Sequence, residues 1–128
     1  MSTELNLSLM MNNKLSITIC IPSFNRPDQA AKTLKSLLKQ CIDNNLNIKF
    51  IVIDNGSKNS YENLFKNDKI ISDAIILKNV ILHRNDFNIG MSANFLRAFE
   101  LSNSKWLWMV SDDDYILFSD SDEIPNPQ

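Results

Sequence analysis

With one histidine and two cysteines in 128 residues, the chain is short of the side chains that whole classes of chemistry require. Cys20 and Cys41 lie in apolar segments without Cys-x-x-Cys spacing, and with His83 they fall short of a four-ligand zinc site. They read as reduced, buried thiols that behave as small hydrophobes. No apolar run reaches the ~18 residues of a membrane-spanning helix, so no transmembrane segment is expected. Met1 to Lys14 lacks the basic start and compact apolar stretch of a secretory signal. The expected location is therefore cytoplasmic, free or peripheral to the inner face of the membrane. Basic runs are missing too. Arg26, Arg84 and Arg97 are scattered and the formal net charge is −2, which argues against nucleic acid as a partner. A small anionic ligand is still compatible, because backbone donors or a metal can supply positive charge locally. Internal repeats and low-complexity segments are absent.

What is present is an ordinary globular composition, 44% hydrophobic and 22% charged, with room for one domain. Leu15–Ile21 is a β-rich segment that Pro22 is expected to end, since proline lacks an N–H. Pro27 then opens a helical pattern with apolar Ala30, Ala31, Leu34, Leu37, Leu38, Cys41 and Ile42 at spacings of three and four. Asp28 in its first turn complements the helix dipole. Ile48–Ile53 is a nearly all-apolar strand, as in a sheet covered on both faces, and Asp54-Asn55-Gly56-Ser57 is a turn. A short helix is expected near Tyr61–Asn67, followed by an undefined link containing Ile70, Ile71, Ile75 and Ile76. A third strand spans Val80–Arg84, a loop Asn85–Gly90, a second amphipathic helix Met91–Leu101 and a fourth strand Trp106–Val110. The acidic, proline-bearing stretch from Asp120 to Gln128 reads as loop or disorder.

Strands alternating with helices imply a mostly parallel sheet of about four strands with right-handed crossovers. Its strand–helix loops all leave one edge, where ligands bind at the point of reversed strand order. The polar residues gather in those loops: Ser23–Arg26, Asp54–Ser57, Asn85–Gly90 and Ser111–Tyr115. Asp112-Asp113-Asp114 repel one another unless a cation or solvent compensates. A hard divalent ion takes one or two carboxylates plus phosphate oxygens; a solvated acidic turn is the plainer alternative. Asp54 can accept an N–H from a nucleobase or close an Asx-turn. Pro22, Ser23, Phe24 and Asn25 can offer backbone contacts to a base or ribose, and Arg26 can reach a phosphate or remain solvated. Asn85, Asn88, Gly90 and Asn94 supply polar groups around the start of the second long helix, with structural roles equally open. Trp106 and Trp108 read as packing residues. A phospho-acceptor signalling domain is disfavoured, because Pro22-Ser23-Phe24, not an acidic cluster, follows the first strand.

In order and approximate spacing, Ile17–Arg26 (ITICIPSFNR), Thr33–Gln40 (TLKSLLKQ), Ile51–Ser57 (IVIDNGS), Asn85–Asn94 (NDFNIGMSAN) and Trp106–Ile116 (WLWMVSDDDYI) resemble the N-terminal part of family-2 glycosyltransferases. The resemblance implies an α/β fold: a three-layer, Rossmann-like half-domain of the GT-A type, over residues 15–116. Residues 1–14 are then an N-terminal extension and 117–128 a tail. It implies a nucleotide-diphosphate sugar as partner, most often a UDP-sugar, with Mn²⁺ or Mg²⁺. Pro22, Ser23, Phe24 and Asn25 would line the base pocket and Asp54 would bind the base, with Arg26, Asn55, Gly56 and Asn94 as further donor-binding residues and Asp112 near the ribose. Asp113 and Asp114 would hold the metal, with a literal Asp112-x-Asp114 register as the alternative. Family members continue beyond this motif with an acceptor pocket and, in inverting enzymes, a carboxylate base. No residue here can be assigned that role. The expectation is a chain truncated after the Asp-x-Asp-like motif, a donor-binding unit inactive alone. The alternative is a non-catalytic remnant whose uncovered apolar surface drives homo-oligomerisation.

Overall fold

The computed structural model of the chain describes residues 2–6 and 16–119, with residues 2–6 and 119 followed as backbone only. Strand β1 (Ser2–Asn6) precedes β2 (Ile17–Ser23), helix α1 (Pro27–Asp43), β3 (Lys49–Asp54), α2 (Glu62–Asn67), α3 (Lys69–Ile76), β4 (Val80–Arg84), α4 (Met91–Leu101), β5 (Trp106–Met109) and β6 (Tyr115–Ser119). The main sheet has the order β4-β3-β2-β5, all parallel. Successive strands step one way from β2 to β4, and β5 then returns to the far side of β2. That reversal opens a crevice at the C-terminal ends of β2 and β5.

The two faces of the sheet bury different sets of residues, which is why the strands are apolar throughout. Ile17, Ile19, Ile21, Phe50 and Val52 face α1, α2 and α3, together with Leu34, Leu37, Phe65 and Ile71. Cys20, Ile51 and Ile53 face α4 through Ala98. The result is the three-layer α/β arrangement that was expected. Burial pushes the Cys20 and Cys41 thiols up to about 12, so neither offers a thiolate at neutral pH.

Four local readings change. Pro22 does not end its strand: β2 runs to Ser23 with Pro22 opposite Ile53. β5 pairing stops at Cys20↔Met109 and Val110 N–H closes on Cys20 O at 2.8 Å, so the ladder on the side Pro22 would have to serve has already finished. Ile42 is not in the core stripe of α1; it is 68% exposed, and Thr33 is buried in the helix instead. The supposed link after Asn67 is helix α3, N-capped by Asp68, whose Oδ1 accepts from Ile71 N–H at 3.1 Å. Finally, β6 runs through the expected boundary at residue 116 and pairs in parallel with β1, inside the stretch read as an extension. Ile116 and Phe118 join the main core. Gln40 on α1 clamps β6, donating from Nε2 to Ile116 O at 2.8 Å and accepting from Phe118 N–H at 2.6 Å. Residues 120–128, read as loop or disorder, lie outside the described residues.

Candidate functional site

The loops after β2, β3, β4 and β5 leave the same sheet edge, as the alternating pattern required. A cavity of about 760 Å³ lies there, lined by residues of all four of these loops together with the start of α4. From the first loop come Pro22, Ser23, Phe24 and Arg26, from the second Asn55, and from the end of β5 Val110, Ser111 and Asp112. Asn88, Gly90 and Asn94 close the remaining side. This size suits a small-molecule ligand.

Asp112 is the electrostatic centre of the crevice. It is 2% exposed, and Oδ1 accepts from Arg26 Nη2 at 2.6 Å while Oδ2 accepts from Ser23 Oγ at 2.8 Å. Its backbone carbonyl accepts from Thr33 Oγ1 at 2.6 Å, which ties the acidic turn to α1. The Ser23 hydroxyl belongs to a longer chain. Arg26 N–H donates to the Tyr61 hydroxyl at 3.0 Å, and that hydroxyl lies 2.7 Å from Ser23 Oγ and 3.3 Å from Ser57 Oγ. With Ser23 donating to Asp112, Tyr61 donates to Ser23, and a buried carboxylate ends a directed line of hydrogen bonds. The arginine supplies the charge that makes burial of this carboxylate tolerable.

Asp113 and Asp114 point elsewhere. Asp113 is exposed; its Oδ1 accepts from Ser111 Oγ at 2.6 Å and Oδ2 lies 3.6 Å from Arg26 Nη1. The Ser111 hydroxyl, helped by the Arg26 guanidinium, holds its carboxyl below the usual carboxylate range in spite of a desolvation cost larger than the arginine's own effect. Asp114 Oδ2 accepts from Ser111 N–H at 3.2 Å. Neither residue lines the cavity; both follow directly on its rim residues Ser111 and Asp112. Among the described residues no three His, Cys, Asp or Glu side chains converge as a metal cluster. The donors therefore fit a hard divalent ion only in the form that uses one or two carboxylates and completes its shell with phosphate oxygens and water.

Asp54 fixes the turn that follows β3. It is 1% exposed, and Oδ1 accepts from Ser57 N–H, three residues on, at 2.9 Å, one residue beyond the reach of the Asx-turn that was the alternative reading. Oδ2 is buried without a hydrogen-bond partner, 3.7 Å from Arg84 Nε. Asp54 lies opposite Ser23 in the sheet register, and Ser23 bonds Asp112, so the Asp54 turn and the acidic turn converge on one edge. Asn25 joins the two loops: its N–H donates to Ser57 Oγ at 2.7 Å and its Oδ1 accepts from Lys58 N–H at 2.8 Å. Its φ of 54° is in the left-handed region that asparagine tolerates. Gly56 has φ 75°, and a Cβ there would meet the Phe87 carbonyl carbon at 2.4 Å. Its role is thus close approach of the β3 and β4 loops.

Sequence reasoning missed Tyr61, Thr33 and Ser57 as parts of the site. Tyr61 was visible only as the first residue of an expected short helix, and nothing local signals a hydroxyl shared by two loops. Trp106 departs from its packing role, being 49% exposed on the edge strand, whereas Trp108 packs against the core.

The fold and crevice define a class: a GT-A, Rossmann-like α/β domain with a ligand cavity at its switch point. Structures of S. aureus TarS share the fold. The form spanning residues 1–349 in complex with UDP aligns with a TM-score of 0.60 at 19% identity over 80% of this chain and 29% of that one. The complex with UDP-GlcNAc aligns at a TM-score of 0.56 and 19% identity over 80% and 28%. The glycosyl transferase family 2 model matches residues 18–128, and the chain belongs to that family. Abequosyltransferase RfbV of Salmonella typhimurium is 30% identical over 101 residues, covering 77% of this chain and 28% of the relative. Glucosyl-dolichyl phosphate glucuronosyltransferase of Haloferax volcanii is 25% identical over 100 residues, 78% of this chain and 29% of its own. The chain thus spans less than a third of the length of these relatives.

Proposed function

We propose that the domain binds a nucleotide-diphosphate sugar, most simply a UDP-sugar, in the cavity between the ends of β2 and β5, as the donor half of a sugar-transfer reaction. The observation that carries this reading is the meeting, at the switch point, of a ligand-sized cavity with the acidic turn and the Asp54 turn. TarS, which has the same fold, is known in complexes with UDP and UDP-GlcNAc. Asp54 Oδ2, paired with Arg84 at 3.7 Å but making no hydrogen bond, keeps an acceptor for an N–H of a base next to Asn55 on the cavity wall. Pro22, Ser23, Phe24, Asn25, Asn55 and Gly56 shape the loops around the nucleoside, and Asp112, steadied by Arg26 and Ser23, sits where a ribose hydroxyl could donate. Asp113 and Asp114 would hold Mn²⁺ or Mg²⁺ beside the diphosphate. A bound divalent ion neutralises phosphate charge and stabilises the leaving group. The chain's own part is to bind and orient the donor.

Calorimetry on the folded chain with UDP and UDP-GlcNAc tests this. Mn²⁺ is expected to tighten binding at least tenfold, and the double variant Asp113→Ala, Asp114→Ala to lose that metal dependence while retaining its fold. A well-folded chain that binds neither ligand, with or without metal, rejects the reading.

A second reading is self-association through the α4 layer. Met91, Leu96 and Phe99 are 89%, 62% and 57% exposed, which is an unusual density of uncovered apolar side chains on one helix. The two readings are compatible.

A further inference from the structure

A relay of buried amides in the β4–α4 loop assigns a direction to Asn94 that its sequence position does not. Asn85, 5% exposed, donates both Nδ2 hydrogens, one to Asn55 Oδ1 at 2.9 Å and one to Asn94 Oδ1 at 2.8 Å. Its own Oδ1 lies 3.1 Å from His83 Nε2, which donates to it, and its backbone N–H donates to Asp54 O at 2.9 Å. With its amide fully committed, Asn85 dictates the orientation of both neighbours: each must turn its oxygen inward and its NH₂ outward. Asn55 has an outlet, donating from Nδ2 to Asn88 Oδ1 at 2.9 Å. Asn94 has none. Its side chain is on a residue 3% exposed and lines the cavity, and its Nδ2 finds no acceptor among the described residues.

The start of α4 adds a second, separate feature at the same wall. The helix is 11 residues long, and Gly90 at its N-cap provides no side-chain acceptor. The first intrahelical bond is Asn94 N–H to Gly90 O at 3.1 Å. The N–H groups of Met91, Ser92 and Ala93 therefore precede the ladder, at the positive end of the dipole. Gly90, Met91 and Asn94 all line the cavity. A helix N-terminus together with an outward-facing amide NH₂ favours an anion over a neutral hydroxyl, which can donate as readily as it accepts.

We propose that Asn94 Nδ2 and the first turn of α4 form an anion subsite that takes a phosphate of the bound nucleoside diphosphate, with Asn85 setting the orientation of Asn94. This rests on the functional reading above and adds a phosphate contact that does not pass through Asp113 or Asp114.

The discriminating variant is Asn94→Asp. It keeps an oxygen for Asn85 to bond and replaces the cavity-facing donor with a negative acceptor. UDP binding in the presence of Mn²⁺ is expected to weaken at least tenfold, with the melting temperature of the full chain close to that of the parent. Should Asn94→Asp fail to fold, Asn94→Leu removes the donor without adding charge, and a three- to tenfold loss is expected. Unchanged UDP affinity in a folded variant overturns the proposal. So does a loss confined to UDP-GlcNAc with UDP unaffected, because that places Asn94 against the sugar. A folded parent chain that binds neither probe overturns the functional reading, and this subsite with it.

Discussion

Gly56 and Tyr61 do the most at the scale of single residues, and for opposite reasons. Gly56 contributes by lacking a side chain, since both its φ of 75° and the Phe87 backbone exclude a Cβ. Gly56→Ala is expected to lower stability by at least about 2 kcal/mol, from left-handed strain plus displacement of the β4 loop; urea unfolding measures it. Tyr61 contributes a hydroxyl on a ring with no exposure. Tyr61→Phe leaves the ring packing intact but removes a partner from Ser23, Ser57 and the Arg26 N–H, at a cost of about 1–3 kcal/mol. Because the same hydroxyl steadies Ser23 against Asp112, nucleotide affinity is expected to fall with it. A Tyr61→Phe chain of unchanged stability by urea unfolding contradicts the directed hydrogen-bond line.

The elements show where local signals sufficed and where they did not. α1 and β3 were readable because each buries a face that its own pattern declares, whereas β4 and α4 were readable from period and punctuation although Ile81, Phe95, Leu96 and Phe99 stay exposed. α3 was not, although its signal was present: Asp68 is an N-cap residue, and Ile71 supplies the N–H it accepts. Asp68→Ala is expected to cost about 1 kcal/mol. Burial pushes the Asp68 carboxyl up, but the Ile71 N–H and the Lys35 ammonium outweigh it, so its folded pKa lies below the usual value. A depressed folded pKa means that the stabilisation is present above the unfolded pKa and is lost as pH falls through the folded one. The stability gap between parent and Asp68→Ala should accordingly hold at neutral pH and shrink in acid below the ordinary carboxylate range, as urea titrations across pH can follow. β6 was missed for a different reason. Its alternation of buried Ile116 and Phe118 with exposed Tyr115 and Leu117 is short, and its clamp comes from Gln40, over seventy residues away in sequence. Gln40→Ala is expected to speed hydrogen exchange at the Phe118 amide by at least tenfold and to leave the β2 amides protected.

At the scale of the molecule, the two faces of the sheet are unequally covered. Among the described residues, α1, α2 and α3 pack one face, whereas α4 alone packs the other and presents Phe95 and Phe99 edge to face, with ring centroids 5.3 Å apart, at 44% and 57% exposure. If this layer drives association, Leu96→Lys with Phe99→Lys should shift sedimentation from oligomer to monomer and leave the melting temperature near that of the parent. A parent chain that is monomeric at all concentrations would remove the second functional reading. Among the described residues no helix is long and apolar enough to cross a membrane.

The sequence alone determined the class of fold and which loops share an edge, because alternating strand and helix periods leave a parallel sheet with all its strand–helix turns at one end. It also determined that Ser23, Arg26, Asp54, Asn94 and Asp112 lie in or beside those turns. Tertiary structure alone decided how they are used. Pairings such as Arg26 with Asp112, Tyr61 with Ser23 and Asn85 with Asn94 depend on distances across separate strands, and residue order carries no record of which donor meets which acceptor.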